Sequence, residues 1–99
     1  MGELDGVLKI LRMHEADLRR LGVRHAAVFG SVARGEAGQE SDVDVLVDLD
    51  PDRLIGVFEY SRLKLYLGEL LGGRGDIVNR RKLKPLLRES ILRDAVNAF

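Results

Sequence analysis

The stretch VRHAAVFGSVARGEAGQESDVDVLVDL, residues 23–49, decides the fold of this chain. Its first part, Val23 to Phe29, is a short run bounded by Gly22 and Gly30, which predicts a buried strand. Its last part, Asp42 to Leu49, alternates acidic and aliphatic residues, and this period of two is the clearest strand signal in the sequence. Between the two strands, three glycines and two serines bracket a short helix around Val32 to Arg34.

Three longer helices and one more strand complete the predicted elements. The helices are Glu3 to Leu21, Leu54 to Leu71 and Lys82 to Ala98, and Pro85 suits the first turn of the last one. Asp76 to Asn79 is a brief strand candidate. The apolar positions of the second and third helices are Phe58, Leu63, Tyr66, Leu67, Leu70 and Leu71, and Leu83, Leu86, Leu87, Ile91, Leu92 and Val96. The element order αβαβαβα predicts an α/β (α+β) fold, in which helices flank a sheet of about three strands.

Length and composition exclude several classes of protein. The 99 residues predict a single domain over residues 1–99 with a modest core. Because the chain has no cysteine and only two histidines, it has no disulfide framework, no thiolate zinc site, no cysteine nucleophile and no histidine-rich metal site. No stretch approaches the roughly 20 apolar residues that span a bilayer, so we expect a soluble, cytoplasmic protein.

The first candidate for chemistry is the pair Asp42 and Asp44. One residue separates the two carboxylates on a strand, so both point to the same face with about 6–7 Å between their Cα atoms. This arrangement suits shared ligation of two Mg²⁺ ions. The alternative is an exposed acidic strand face without a ligand.

The second candidate is the turn that follows the first strand. Gly30 and Ser31 offer backbone N–H groups, a hydroxyl and a helix start to an anionic phosphate. The same pair is also an ordinary strand-to-helix turn in which Ser31 is the N-cap. Arg34 either contacts a phosphate or forms an ion pair with a nearby carboxylate.

Together these residues form a recognisable pattern. Gly30-Ser31-Val32-Ala33-Arg34-Gly35 is followed, after five residues, by Ser41-Asp42-Val43-Asp44. The pattern resembles the signature of the DNA polymerase beta-like nucleotidyltransferase superfamily, and specifically the minimal nucleotidyltransferases of prokaryotes. The resemblance extends over essentially the whole chain, although only the motif is specific.

The resemblance implies a third carboxylate on a later strand, and Asp76 lies at the corresponding place. It also implies that Asp42, Asp44 and Asp76 are catalytic and hold two Mg²⁺ ions, and that Asp76 takes the acceptor's proton. Gly30, Ser31, Arg34 and Ser41 would contact the phosphates of the donor, which is usually ATP in this family.

The predicted site also determines the strand directions. Gly30 and Ser31 end the first strand, whereas Asp42 begins the second, and both must reach one triphosphate, so these strands should be antiparallel. Asp76 opens the third strand beside Asp42, so the second and third strands should be parallel, joined by the helix between them in a right-handed crossover. The result is a small mixed sheet with the polymerase beta-like nucleotidyltransferase fold.

The resemblance also implies a partner. Minimal nucleotidyltransferases typically pair with a HEPN-domain protein and act as antitoxins that add AMP to a tyrosine of the HEPN toxin. A rival hypothesis is a binding antitoxin or scaffold that neutralises its partner by contact. A third hypothesis makes the basic segment of residues 80–93 a nucleic-acid surface, but a solvated or partner-docking helix face is favoured because the chain has only five aromatic residues. A homodimer is compatible with the sequence, although no single patch predicts it.

The formal net charge of zero conceals two charged segments of opposite sign. Residues 36–52 hold seven acidic residues and no Lys or Arg, whereas residues 80–93 hold six basic residues against one glutamate. A bare acidic cluster would repel a triphosphate. The nucleotidyltransferase hypothesis therefore requires Mg²⁺ between the carboxylates and the nucleotide.

Overall fold

The computed structural model describes residues 3–36 and 42–99. In chain order its elements are α1 (Glu3–Met13), α2 (Glu15–Arg20), β1 (Val23–Phe29), α3 (Gly30–Arg34), β2 (Val43–Leu49), α4 (Val57–Leu70), β3 (Gly75–Asn79), a 3-10 turn (Arg80–Lys82), α5 (Pro85–Asp94) and β4 (Val96–Asn97). The predicted alternation of helices and strands is confirmed. The predicted first helix is divided at His14, which separates α1 from α2. None of the described helices is long and apolar enough to cross a membrane.

The sheet has the strand order β3-β2-β1-β4. β1 and β2 are antiparallel, and β2 and β3 are parallel, as the predicted site required. α4 connects β2 to β3 and packs on β3. This mixed sheet confirms the predicted fold class and adds a fourth strand.

The fourth strand replaces the end of the predicted last helix. That helix was expected over Lys82 to Ala98, but α5 ends at Asp94, and Val96 pairs with Val28 at the free edge of β1. The backbone is extended at Ala95, so the chain leaves the helix and its N–H and C=O groups bond to β1 instead. The adjacent Ala98 is also tied to the first helix, because Nε of Arg12 donates to its carbonyl oxygen at 2.7 Å.

The two faces of the sheet are packed unequally. On β2, Val43, Val45 and Val47 are buried in the main core together with residues of α1, α2 and α4. The opposite face holds a smaller cluster of Ala27, Phe29 and Leu46, against which the C-terminal half of α5 packs. Each fully buried Val or Leu stabilises the fold by about 1.5–3 kcal/mol, so most of the stability comes from the first face.

The prediction of which residues of α4 are buried was wrong near the N-terminus of the helix. The helix begins at Val57 rather than at Leu54, and its buried residues are Leu63 and Leu67. Phe58 was expected among them but is 87% exposed. Five residues of helix turn the chain by about 140°, so Phe58 cannot share the face of Leu63. The predicted apolar positions Leu86 and Leu87 of α5 are exposed as well.

Candidate active site

Asp44 lies at the centre of the predicted site. In the parallel register of β2 and β3, Asp44 is directly opposite Asp76, and in the antiparallel register of β1 and β2 it is opposite Phe29. Adjacent strands lie about 4.8 Å apart, so the Asp76 backbone on one side and the end of β1 on the other are immediate neighbours of Asp44. Asp42 immediately precedes β2 and is exposed.

The neighbouring carboxylates influence the pKa of Asp44. Burial raises the pKa of Asp44, and the negative charges of Asp76 and Asp42 raise it further, whereas Arg34 acts in the opposite direction. The carboxylates of Asp76 and Asp42 are therefore close enough to disfavour the negative charge of Asp44. A cation placed among them would remove this repulsion.

Gly30 is required by the position of Asp44. Its φ is +75°, in the left-handed region that favours glycine, and a Cβ built on it would overlap Oδ2 of Asp44. The glycine therefore allows the β1–α3 turn to lie directly against the Asp44 carboxylate. This close approach brings the phosphate-binding candidate and the carboxylates together, as the sequence pattern predicted.

Ser31 lies within the first turn of α3 and is not its N-cap, which corrects one expectation. Phe29 is the N-cap residue, with φ −134° and ψ −175°, and the helix begins at Gly30. Because Phe29 stays extended and the turn starts one residue later, Ser31 follows the cap position. The N–H groups of the first turn have no partner within the helix, so they can bind an anion.

Arg34 forms the ion pairs that were one of its two predicted roles. Its Nε donates to Glu36 at 3.0 Å, and its Nη1 donates to Asp94 at 2.8 Å. The second bond joins α3 to α5. Ser41, the other predicted phosphate contact, lies outside the described residues.

Tyr60 is a neighbour of the site that the sequence did not indicate. This residue of α4 is partly buried against the main core. Burial raises the pKa of the Tyr60 hydroxyl, and the charge of Asp76 raises it further. The phenol is therefore within the electrostatic range of the site, because the crossover lays α4 along β3. No spacing rule of the sequence could have indicated this.

The donor set suits Mg²⁺. Within residues 3–36 and 42–99, no three Asp, Glu, His or Cys side chains are already gathered as a group able to hold a metal ion. Mg²⁺, however, is usually held by one or two carboxylates, with water and substrate phosphates completing its shell. The carboxylates of Asp42 and Asp76, whose charges act on Asp44, offer together with it the hard oxygen ligands that this ion prefers, so the residues present fit it.

The chain matches the nucleotidyltransferase domain family over residues 11–97. It is 42% identical over 94 residues to the protein adenylyltransferase MntA of Thermococcus cleftensis, a match that covers 94% of this chain and 93% of that protein. A solved structure of a protein provisionally named a minimal nucleotidyltransferase is 45% identical, with a TM-score of 0.70 and coverage of 90% of this chain and 93% of the other.

A more distant structure shares the fold. A chain from the complex of tri-AMPylated Shewanella oneidensis HEPN toxin with MNT antitoxin has a TM-score of 0.64 at 18% identity, covering 93% of this chain and 71% of that chain. The family match and the mixed sheet together define a nucleotidyltransferase domain. The chain belongs to the nucleotidyltransferase domain family, and the resemblance to minimal nucleotidyltransferases is confirmed.

Proposed function

We propose that this chain is a Mg²⁺-dependent adenylyltransferase that moves AMP from ATP to a hydroxyl group of a partner protein. The observation that carries the proposal is the position of Asp44, which is directly opposite Asp76 and so close to Gly30 that a Cβ there would overlap its carboxylate. Carboxylates on one side and a turn of backbone N–H groups on the other are what a metal-bound triphosphate requires. The relative named protein adenylyltransferase MntA supports the AMP group as the one transferred.

The side chains of the site have separate roles in this proposal. Asp42 and Asp44 hold Mg²⁺, which when bound neutralises phosphate charge and activates the attacking oxygen. Gly30 and Ser31 bind the β- and γ-phosphates through their N–H groups and the serine hydroxyl. Asp76 accepts the proton of the acceptor hydroxyl. The acceptor oxygen forms a bond to the α-phosphorus, the bond from that phosphorus to the bridging oxygen breaks, and pyrophosphate leaves.

The two remaining predicted phosphate contacts, Arg34 and Ser41, have different roles in the proposal. Arg34 is occupied by Glu36 and Asp94, so its role in the proposal is to fix α3 against α5 and thereby hold the turn at Gly30 in place. Ser41 stays a predicted phosphate contact, because its neighbour Asp42 is a proposed ligand.

The acceptor in this proposal is a tyrosine of a HEPN-domain toxin, and the chain is its antitoxin. The complex of AMPylated HEPN toxin with MNT antitoxin, whose fold this chain shares, supports the choice of partner.

The experiment mixes the purified chain, ATP and Mg²⁺ with a HEPN-domain toxin, and measures the intact mass of that toxin. We expect the mass to rise by whole AMP units, with one pyrophosphate released for each. A chelator should abolish both nucleotide binding and transfer, because the bare carboxylates repel the triphosphate. An unchanged mass, with a preparation that binds ATP and Mg²⁺, would refute the proposed acceptor.

A second candidate function is neutralisation by contact alone. The exposed apolar side chains of α4, including Phe58 and Leu65, favour it because they provide a surface for a stable complex. The two functions differ in their need for nucleotide. Inhibition of the toxin by the chain without ATP would support neutralisation by contact, whereas inhibition that requires ATP and survives removal of the chain would support AMP transfer.

A further inference from the structure

Arg34 lies on the same side of α3 as the glycine that abuts Asp44. Gly30 and Arg34 are the first and last residues of this helix. Residues four apart share one side of a helix, with about 5–6 Å between their Cβ positions. A Cβ at Gly30 would overlap Oδ2 of Asp44, so this is the side of α3 beside the Asp44 carboxylate. Because helical side chains also lean toward the N-terminus of their helix, Arg34 starts in the direction of Asp44.

The guanidinium group of Arg34 is nevertheless bound elsewhere. Arg34 and Asp44 are both among the described residues, but no ion pair joins them. Nε donates to Oε2 of Glu36 at 3.0 Å, and Nη1 donates to Oδ2 of Asp94 at 2.8 Å. Burial and two neighbouring carboxylates raise the pKa of Asp44, and the charge of Arg34 opposes them. The cation is therefore within electrostatic range of Asp44, although its hydrogen bonds go to other carboxylates.

Asp94 holds Arg34 more firmly than Glu36 does. The side chain of Asp94 is 24% exposed, whereas that of Glu36 is 63% exposed. Ion pairs between exposed groups contribute little, because water and salt screen them. Glu36 also follows α3 directly in the chain and moves with it, whereas Asp94 ends α5, a separate helix. The direction of the guanidinium group thus depends mainly on Asp94.

An arginine released from Asp94 would compete with a metal ion for Asp44. A guanidinium group pairs with a carboxylate through two parallel hydrogen bonds, which occupy both oxygens. Even without direct contact, a cation beside Asp44 repels a second cation and lowers its affinity for the site. The bond between Asp94 and Arg34 therefore affects the metal site, although Asp94 lies outside it.

We propose that Asp94 is a positioning residue, which holds the guanidinium group of Arg34 away from Asp44 and so leaves the Asp44 carboxylate open to Mg²⁺. The proposal rests on the proposed function for the assignment of Asp44 as a metal ligand. It differs from a mechanical link between α3 and α5, because a link is lost whichever of its two partners is replaced. A residue that restrains a cation is needed only while the cation is there.

The test is a double-mutant cycle on the nucleotide-free chain. It measures affinity for Mn²⁺, a spectroscopic probe that takes the same oxygen ligands as Mg²⁺, by electron paramagnetic resonance. Asp94→Asn should weaken Mn²⁺ binding about fivefold, because Arg34 can then pair with Asp44. Arg34→Met removes the cation and keeps a long side chain, so it should bind Mn²⁺ at least as tightly as the wild type. Adding Asp94→Asn to Arg34→Met should then change the affinity by less than about twofold.

Glu89→Gln is the matched control. Glu89 is also a carboxylate of α5 and also pairs with an arginine, since Nη2 of Arg93 donates to it at 3.3 Å. The control removes the same charge from the same helix and breaks a similar ion pair, but it does not release Arg34. It should bind Mn²⁺ within about twofold of the wild type. Circular dichroism verifies that all variants fold.

Two results of the cycle would overturn the proposal. If Asp94→Asn weakened Mn²⁺ binding by the same factor with and without Arg34, Asp94 would act through its own charge. If Arg34→Met weakened Mn²⁺ binding as much as Asp94→Asn does, a mechanical link between the helices would explain both losses.

Further measurements distinguish this proposal from the proposed function. Asp44→Asn should weaken Mn²⁺ binding by at least about tenfold, and wild-type affinity in this variant would refute both. If the cycle shows the expected dependence on Arg34 but no AMP reaches a HEPN-domain toxin, the positioning role of Asp94 stands and the proposed function fails. If AMP is transferred but the effect of Asp94→Asn does not depend on Arg34, the function stands and the positioning role fails.

Discussion

The two faces of the sheet show a division between stability and chemistry. Among the residues that the structure describes, the face covered by α1, α2 and α4 has 17 buried hydrophobic residues in its cluster, whereas the face toward α5 has three. Along β2 the two faces alternate, since Val43, Val45 and Val47 point to the first and Asp44 and Leu46 to the second. One strand thus holds the fold together on one side and presents a carboxylate on the other. Substitutions on the two sides should therefore have separable effects.

The largest expected effect is a loss of activity caused by a substitution on the face toward α5. Asp44→Asn should lower the rate of AMP transfer by a factor on the order of 10³, because the amide binds Mg²⁺ poorly and no longer neutralises it. The measurement is transfer of labelled AMP at saturating ATP. An unchanged rate would refute the assignment of Asp44.

The same variant should not lose stability. Burial and the charges of Asp76 and Asp42 raise the pKa of Asp44, so the folded state favours the protonated carboxyl. The stabilisation that the protonated Asp44 gives the folded state is complete below the ordinary pKa of 3.8. It is lost as the pH rises through the raised pKa of the folded state. Above the raised pKa the ionised carboxylate is unfavourable for folding, and asparagine removes its charge. Thermal unfolding in a chelator should show a Tm of Asp44→Asn equal to or above that of the wild type.

The next largest effect is expected one residue further along β2, where a substitution should lower stability rather than activity. Val45 is completely buried on the other face, and Val45→Ala should lower the free energy of unfolding by about 2 kcal/mol through lost burial and a small cavity. The transfer rate per folded molecule, measured well below the Tm, should stay within about twofold of the wild type. If Val45→Ala lost activity as severely as Asp44→Asn, the proposed separation of the two faces would be wrong.

Smaller effects are expected at two glycines, whose comparison separates the cost of backbone strain from the cost of contact with Asp44. Gly30 and Gly35 have nearly equal φ angles, +75° and +74°, but only at Gly30 would a Cβ meet the Asp44 carboxylate, and at Gly35 it would meet nothing within 4 Å. Gly35→Ala should destabilise the fold by about 1 kcal/mol, the cost of the left-handed conformation. Gly30→Ala should cost about 1 kcal/mol more and should also reduce transfer. Urea unfolding and transfer assays of this pair measure the difference, and equal effects of the two substitutions would contradict the contact.

The smallest expected effect is a gain in stability. Gly68→Ala should raise the free energy of unfolding by about 0.5–1 kcal/mol, because alanine favours helix and nothing obstructs its Cβ. Urea unfolding measures the change, and a loss of stability would show that a Cβ at this position is obstructed.

The sequence predicted the relative positions of three candidate site residues better than it predicted the helices. Gly30, Asp44 and Asp76 could be placed together because strand alternation and strand direction follow simple rules, and the structure brings them together. Helical periodicity, in contrast, does not say which of two apolar sides faces the core. Phe58 and Leu63 both fit the pattern of α4, and only contact with β3 decides between them.

Other features depend on contacts between residues that are far apart in the sequence. The segment at Val96 is compatible with helix until the open edge of β1 offers it hydrogen bonds. The ion pair of Arg34 with Asp94 joins residues 60 positions apart, so only the fold could choose between the two roles predicted for Arg34. The proximity of Tyr60 to Asp76 is of the same kind.

The pairing of β4 with β1 has a consequence for how the protein is made. Arg12 and Ala98 are 86 positions apart, and β1 lies between them in the chain. A growing polypeptide can pair β1 with β2 early, but the other edge of β1 stays open until residue 97 has been added. An unpaired strand edge is a template for association with other chains. The nascent protein therefore passes through an interval of exposure to aggregation that ends only when its last strand is synthesised.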